Sequence, residues 1–442
     1  MERFFTRPAL LIALQNFYSG LPLALTASTL TAWLAEAKID RATIGLFAAV
    51  ATPYAFKFLW SPLVDGARLP LLARLGRRRS WLLFSQALVT LAILAMGFGN
   101  PAVNAGLTAL MALLVATFSA TQDIAVDAYR VERLPQEQQA TGAAMAIFGY
   151  RIGMLVSGAG ALALADQLGW QGTYVAMAAL MGTGMLVTLA AKEPQGNSLP
   201  LTGRVGEGPG ETTFVPDNGP HLTSPLEGEG FARGTTAGWL REFVLDPFAD
   251  FMTRPMWLGV LAFVVLYKLS DAFMGTMFNP FLLDLGFTKT QIAEVVKIYG
   301  LAATLIGSFG GGWVVARIGV YRTLLVCGLL HMLTNLLLVA LASRGADMGF
   351  LTLSIVLENF TSGMAGVAFI AYLSALTRTH YTATQYALLS SLAAFGRTWL
   401  STPSGALAAH FGWAPFFLFA SMLAIPGLLL LVWLESRKRA AG

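Results

Sequence analysis

Charge is scarce in this chain. Lys, Arg, Asp and Glu make up 12% of its 442 residues, against 56% hydrophobic ones, and a soluble domain carries roughly 25% charged residues. Together with a mean hydropathy of +0.63, this excludes an ordinary soluble globule and implies a polytopic membrane protein. Cysteine is nearly absent. Cys327 alone rules out a disulfide framework within the chain and any Cys-based metal site. The four histidines, His221, His331, His380 and His410, are scattered without ligand spacing, so neither a metal nor another cofactor is expected. A nucleophile elbow, a His cluster and a phosphate-cradling Gly loop are also missing, which argues against an enzyme and against ATP dependence. The isoelectric point near 9.3 does not point to nucleic acid, because the basic residues cluster in short loops.

What is present is glycine, 45 residues of it, and long apolar runs. Glycine suits helices packed closely in lipid, and about 20 apolar residues cross a bilayer. The N-terminal apolar stretch is too long for a signal-peptide core and reads as a first span. Cutting at turn and charge signals predicts twelve transmembrane helices in an all-α fold. Six lie at 8–36, 42–66, 80–99, 105–130, 138–165 and 170–191, and six at 256–284, 289–316, 321–342, 348–376, 384–410 and 413–434. This divides the chain into an N-terminal six-helix bundle (1–192), a linker (193–255) and a C-terminal six-helix bundle (256–442). The linker is rich in Pro, Gly and polar residues, which suits disorder. It closes on "AGWLREFVLDPFADFMTRP", whose Trp239, Phe243, Phe248 and Phe251 stand among charges and suit an amphipathic helix on the membrane surface, interrupted at Pro247.

With the N-terminus inside, twenty of the 29 Lys and Arg residues fall in segments on the cytoplasmic side and four on the other. The positive-inside rule places both termini and the linker in the cytoplasm. The halves resemble each other. "FGYRIGMLVSGAGALALADQLGW" (148–170) parallels "FGRTWLSTPSGALAAHFGW" (395–413), setting Arg151 near Arg397, and "LAEAKIDRATIGLF" (34–47) parallels "LLDLGFTKTQIAEV" (282–295). Such a six-span repeat is a secondary-transporter signature.

Ionisable residues inside a membrane are costly and by default face a cavity or a partner. Arg151 lies roughly 20 Å from the cytoplasmic side at about 1.5 Å per residue, and Arg397 has the matching depth in the second half. Each either holds an anionic substrate bidentately or pairs with an acid in its own half. Lys268 and Asp271, three apart, share a helix face in "VVLYKLSDAFMGTMFNPF", where Asn279 precedes the helix-breaking Pro280. Lys57 either snorkels or pairs with Asp123. Asp123 and Asp127 are four apart on one face of the fourth span, with Gln122 beside them as a substrate contact. A carboxylate balanced between desolvation and a nearby cation can take and release a proton. Asp123 fits that role. Asp127 serves either coupling or a salt bridge to Arg130 or the 67–79 loop. Glu358 in the tenth span and Asp271 are further proton candidates, with Asn359 and Thr361 as sugar or amide contacts.

At "WSPLVD" (60–65), "GRRRSW" (76–81) and "QDIAVDAY" (122–129) the chain resembles the AmpG family of muropeptide permeases within the major facilitator superfamily, across all the predicted spans but not the linker. The resemblance implies that the loop between the second and third spans is a conformational latch, with gating roles for Asp65 and Arg77. The corresponding "GGWVVARIGVYR" of the second half lacks the Asp, so the latch looks one-sided. It further implies proton-driven import of GlcNAc-1,6-anhydroMurNAc, with or without peptide, across a bacterial inner membrane. The chain ends after twelve spans, where some AmpG relatives carry two more. Because the acetyl-CoA transporter family shares parts of these motifs, a same-fold carrier of another anion, such as a CoA ester or a siderophore, is the alternative. Muropeptides are amphipathic and anionic. Arg151, Arg397, Lys268 and Lys57 would attract them, and Tyr54, Tyr150 and Tyr267 either stack on sugar faces or pack between helices. The expected partners are this solute, protons and the bilayer, with no nucleic acid, and the expected state is a monomer.

Overall fold

The computed structural model of the chain describes residues 6–194, 238, 241–254, 256–378 and 380–441. The stretch expected to be disordered, 195–237, falls outside them. Every described element is helical. Helix α1 (Arg7–Glu36) runs unbroken past Pro22, which withholds one backbone donor. The helix answers with a widened turn at Leu25–Thr29 and with Thr26 Oγ1 donating to the Pro22 carbonyl, 3.1 Å. Helix α2 (41–66) is a chain of short pieces, two of them opened by Pro53 and Pro62, residues that fit only the first turn of a helix. Helices α3 (Arg77–Gly97) and α4 (Ala105–Arg133) follow, the second capped by the Asn104 side chain, which accepts from Leu107 N–H at 2.8 Å.

The run Gln136–Ala190 turns at Gly169, which holds φ 66° and ψ 173°, a conformation reserved for glycine. It therefore comprises two helices, α5 (136–168) and α6 (170–190). Beyond the linker come α7 (Trp257–Asp284), α8 (289–318), α9 (Val320–Arg344), α10 (Met348–Ala375), α11 (382–411) and α12 (Trp413–Lys438). Among the described residues nine helices are long and apolar enough to cross a membrane. The difference from twelve has local causes: α5 and α6 are counted as one, and α2 and α11 are interrupted, α11 at 400–403 beside Pro403.

The internal repeat reappears as matched turns. Gly412 (φ 77°, ψ 174°) precedes Trp413 as Gly169 precedes Trp170. Trp170 Nε1 donates to Glu36 at the end of α1, 3.0 Å, and Trp413 Nε1 donates to Asp284 at the end of α7, 3.2 Å. Close packing rests on glycine. A Cβ on Gly149 or Gly153 of α5 would sit 1.9 or 2.1 Å from the carbonyl oxygen of Ala13 or Phe17 in α1. Gly307 does the same for α8 against Phe360 of α10, at 2.1 Å. Leu91, Leu186 and Ile306 are exposed on the outside, as a lipid-facing surface requires.

Two apolar cores each stay within one half: Leu21 to Met181 in the first, and Phe273 to Ala420 in the second. Two further large cores mix the halves. Val64, Trp81 and Tyr129 pack with Ala383 and Ala387, and Ala140 packs with Phe251, Tyr267 and Tyr386. Both mixed cores lie toward the end that carries the basic loops. At the opposite end, α5 and α8 part around a cleft of about 490 Å³ lined by Leu155, Ala159, Glu294, Ile298, Leu301, Ala302 and Leu305. The halves are therefore joined by shared apolar cores at the basic end, and a cleft separates α5 from α8 at the other.

The end of the linker docks on protein. Helix 241–252 buries Phe251 and Pro247, and its Phe243 ring lies where a Cβ on Gly66 would stand. Asp250 pairs with Arg378 and, at 3.2 Å, with Arg254, and accepts from Gln385 Nε2 at 2.9 Å. Phe251 and Pro247 are thus buried against protein, while Leu245 and Met252 of the same segment stay exposed.

Candidate functional site

At the basic end, the sequence places a buried carboxylate where two halves meet. Asp65, at the end of α2, is 1% exposed. One oxygen accepts from Arg78 Nη2 at 2.7 Å and from Ala383 N–H at 3.2 Å. The other accepts from the Thr384 N–H and from Thr384 Oγ1, both at 2.7 Å. Ala383 and Thr384 open α11, whose first N–H groups have no intrahelical partner and whose dipole favours a negative charge. Asp65 thus caps a helix of the other half. Arg78, also 1% exposed, bridges Asp65 to Glu132 of α4 and donates to the Val64 carbonyl at 3.1 Å. Arg77 donates to the Asp65 carbonyl at 2.7 Å and lies 3.7 Å from Glu132, with its side chain 31% exposed. The buried guanidinium in contact with the carboxylate is thus that of Arg78, and the contact across the halves is made by α11 rather than by the second half's own loop. Beside it, Arg130 donates to Ser374 Oγ of α10 at 3.0 Å and stands over the Tyr386 ring of α11, 5.3 Å to its centre.

Above this closure lies a charged group belonging to the first half. Lys57, where α2 breaks, is 3.8 Å from Asp127, and Arg130 is 3.8 Å from the other oxygen of the same carboxylate. Asp123, one turn deeper, accepts a short hydrogen bond from Ser19 of α1 and lies within electrostatic reach of Lys57. The Tyr54 hydroxyl faces Ser119 and Asp123. Gln122 is wholly buried, and neither polar atom of its amide has a hydrogen-bond partner among the described residues.

The second half holds a counterpart. The chain leaves helical geometry at Lys268 (φ −100°, ψ 0°), and Lys268 Nζ reaches Asp271 Oδ2 at 2.9 Å. Asp271 Oδ1 meets His331 Nε2 of α9 at 2.7 Å, and His331 Nδ1 meets Thr361 Oγ1 of α10 at 3.2 Å. Glu358, one turn from Thr361, accepts from Asn359 Nδ2 at 2.7 Å, and Asn359 Oδ1 accepts from Thr304 of α8 at 3.0 Å. Arg151 of α5 is exposed and lies within electrostatic reach of Glu358 in the other half.

Of the other expected residues, Tyr150 is half-buried at the α1–α5 contact, where its carbonyl approaches Gly20. Asn279 is exposed on α7. The side chain of Arg397 lies outside the described residues. Tyr267 donates to the Leu324 carbonyl at 3.1 Å and stacks on Phe369, so it packs between helices. Sequence reasoning missed Arg78, Glu132, Thr384 and His331. Glu132 is five residues beyond Asp127 and Arg78 is next to Arg77, so both lay beside groups already singled out. Thr384 and His331 carried no such signal.

The family profile of the Major Facilitator Superfamily matches residues 12–399 and 260–442. The anhydromuropeptide permease of Escherichia coli is 39% identical over 434 residues, covering 97% of this chain and 80% of that protein. The AmpG 4 protein of Rickettsia conorii is 36% identical over 430 residues, 96% of each chain. Among solved structures, the Escherichia coli fucose:proton symporter FucP superposes with a TM-score of 0.67 at 14% identity, covering 97% of this chain and 98% of that one. The proton:xylose symporter XylE gives 0.66 at 13% identity, covering 96% and 94%. At those identities the superpositions bear on the fold alone.

Proposed function

Because the chain belongs to the AmpG permease family of the Major Facilitator Superfamily, and is thus a multi-pass membrane transporter of small molecules rather than an enzyme, we propose that it imports muropeptides together with protons. The cargo is GlcNAc-1,6-anhydroMurNAc with or without its peptide, moved from periplasm to cytoplasm across a bacterial inner membrane, by a monomer whose termini are both cytoplasmic. The observation that supports this reading is a cation–carboxylate pair in the spanning helices of each half, Lys57 with Asp127 and Lys268 with Asp271, with Arg151 of the first half within electrostatic reach of Glu358 of the second. A sugar linked to an acidic peptide is amphipathic and anionic, and cations in a partly dry interior, here the buried Lys57, the half-buried Lys268 and the exposed Arg151, attract its carboxylates more strongly than water permits.

The steps follow from alternating access. With the basic end closed, solute enters from the parted end and its carboxylates compete for Lys57, Lys268 and Arg151. Each cation drawn to solute leaves its own carboxylate without a counter-charge. A half-buried carboxylate in that position favours the protonated form. Asp123, held by Ser19 and within electrostatic reach of Lys57, is the group we assign to that proton, with Asp127, Asp271 and Glu358 as the alternative carriers. Closure of the outer cleft then accompanies release of α11 from Asp65.

The test is uptake of labelled GlcNAc-anhydroMurNAc and its tripeptide form into proteoliposomes under an imposed inward proton gradient. Accumulation above equilibrium in the wild type that falls to equilibration in Asp123→Asn is expected. Failure of the folded wild type to move either compound would sink the muropeptide reading, and a panel including a CoA ester and a siderophore would then identify the anion.

A further inference from the structure

Among the described residues His331 is the one histidine drawn into the charged interior, and both of its ring nitrogens are engaged there. Nε2 faces Asp271 at 2.7 Å and Nδ1 faces Thr361 Oγ1 at 3.2 Å, with the residue 7% exposed. The charged groups that reach it are Asp271 and Lys268 from α7 and Glu358 from α10. The α12 residues on this side, Ala424 and Leu428, are apolar, and Cys327, one turn along α9, is buried.

The hydrogen-bond arithmetic is constrained. Ionised Asp271 only accepts, so Nε2 carries a proton in either state of the ring. A neutral His331 therefore has a bare Nδ1, which accepts the single hydroxyl proton of Thr361. A charged His331 carries a proton on Nδ1 and donates it to Thr361 Oγ1. The Thr361 hydroxyl proton is then free to turn to the Leu357 or Glu358 carbonyl, both at 3.0 Å, or to Thr334 Oγ1 at 3.0 Å. One proton on the ring thus reverses one hydrogen bond and frees another for the α10 backbone at Leu357 and Glu358 or for Thr334 of α9.

Room for a proton-carrying water adjoins the pair. A cavity of about 10 Å³ lies against Lys268, Ser270, Asp271 and His331, the volume that admits about one water, and the Ser270 hydroxyl, 1% exposed, has no protein partner among the described residues.

Resting on the proton-coupled reading above, we infer that His331 is a proton-sensing positioning residue of the second half, which converts a ring proton into a reversed Thr361 hydrogen bond and so sets the stretch of α10 that carries Glu358 toward Arg151. It touches no solute. It acts through Asp271 on one side and Thr361 on the other. The first half has no such device, since its acids meet Ser19, Lys57 and Arg130 and no imidazole.

Two measurements on the full chain decide it. The first needs no solute: the full-length protein is labelled with ¹⁵N-histidine in nanodiscs, and the His331 ring signals are identified by their loss in His331→Gln. The ring is expected to titrate in one step between about pH 5 and pH 9, the range in which perturbed imidazoles change charge, and to move its midpoint in Asp271→Asn. A ring that keeps one protonation state across that range overturns the inference. The second is the pH profile of GlcNAc-anhydroMurNAc uptake. His331→Gln, which keeps hydrogen-bonding capacity without a titration, is expected to flatten the profile and to lower net accumulation at least about tenfold, a shift of the size one lost charge-assisted contact produces, while solute counterflow falls less. A wild-type profile in His331→Gln overturns the inference. Should that variant not fold, Thr361→Val removes the same relay without altering charge and is expected to flatten the profile alike. If the wild type moves none of this solute, the substrate reading fails, and the ring titration still decides the role of His331.

Discussion

Replacing Asp65 by Asn tests the closure at the basic end most directly. The carboxylate takes one bond from Arg78 within its own half and three from α11 in the other. An amide of the same shape keeps one oxygen and turns an NH₂ toward the Ala383 or Thr384 donors, which then have nothing to donate to. Hydrogen bonds to charged groups contribute about 1.5–3 kcal/mol against about 0.5–1.5 for neutral ones, and the helix N-terminus adds about 0.3–1 kcal/mol of preference for the charge. The cross-half loss is then about 3 kcal/mol. When the basic end parts, the α11 donors face water whichever residue stands at 65, and Arg78 keeps Glu132. The loss therefore falls on the closed state and shifts the two-state ratio roughly a hundredfold, at about 1.4 kcal/mol per factor of ten. Spin labels at Glu137→Cys and Arg317→Cys, both exposed at the basic end of opposite halves, report this as a distance distribution in a Cys327→Ser background. The Asp65→Asn protein should gain a long component that the parent lacks, and Thr384→Val, which removes one of the three bonds, should gain a smaller one. A folded Asp65→Asn protein with the parental distribution would refute the reasoning.

Three further outcomes are expected. Gly149→Ala drives a methyl into the Ala13 carbonyl at 1.9 Å and should cost about 1–3 kcal/mol by overpacking, seen as a lower midpoint of thermal unfolding. Gly158→Ala, whose nearest neighbour is 3.8 Å away, should leave that midpoint unchanged. Glu132→Gln strips the buried Arg78 of one of its two carboxylates and should cost about 3 kcal/mol, while Arg77→Gln, partly exposed, should cost under about 1 kcal/mol in the same assay. Gly66→Val displaces the Phe243 ring, which lies 2.5 Å from the position of a Cβ, and hydrogen exchange across 241–252 should rise at least about tenfold once that packing is lost.

Much of the architecture was legible because its signals are local. Apolar runs of span length, basic loops and turn residues announced the helices to within a few residues, and the Gly-Trp pairs at 169–170 and 412–413 announced the repeat that the matched turns display. The exceptions are local too. Prolines in α2 and α11 divide spans that composition alone reads as whole. Within the site, Lys268 with Asp271 and Asp127 with Arg130 were readable, since residues three apart on a helix meet whatever surrounds it.

Contacts between helices were not readable in that way. Arg77 and Arg78 are adjacent and chemically alike, and only the rotation of α3 against α2 and α4 makes Arg78 the buried partner of Asp65 and Glu132. Asp65 meets Ala383 and Thr384 more than 300 residues on, and His331 finds Asp271 from a helix 60 residues away. The sequence by itself determined that the chain crosses a membrane as two related sets of helices and which charges each helix must hide. The tertiary structure decided which of those charges meet, because helix periodicity sets the face a side chain takes on its own helix, while the partner across the gap depends on how two helices turn toward each other, and that is settled only when glycine-lined surfaces such as α1 against α5 have packed.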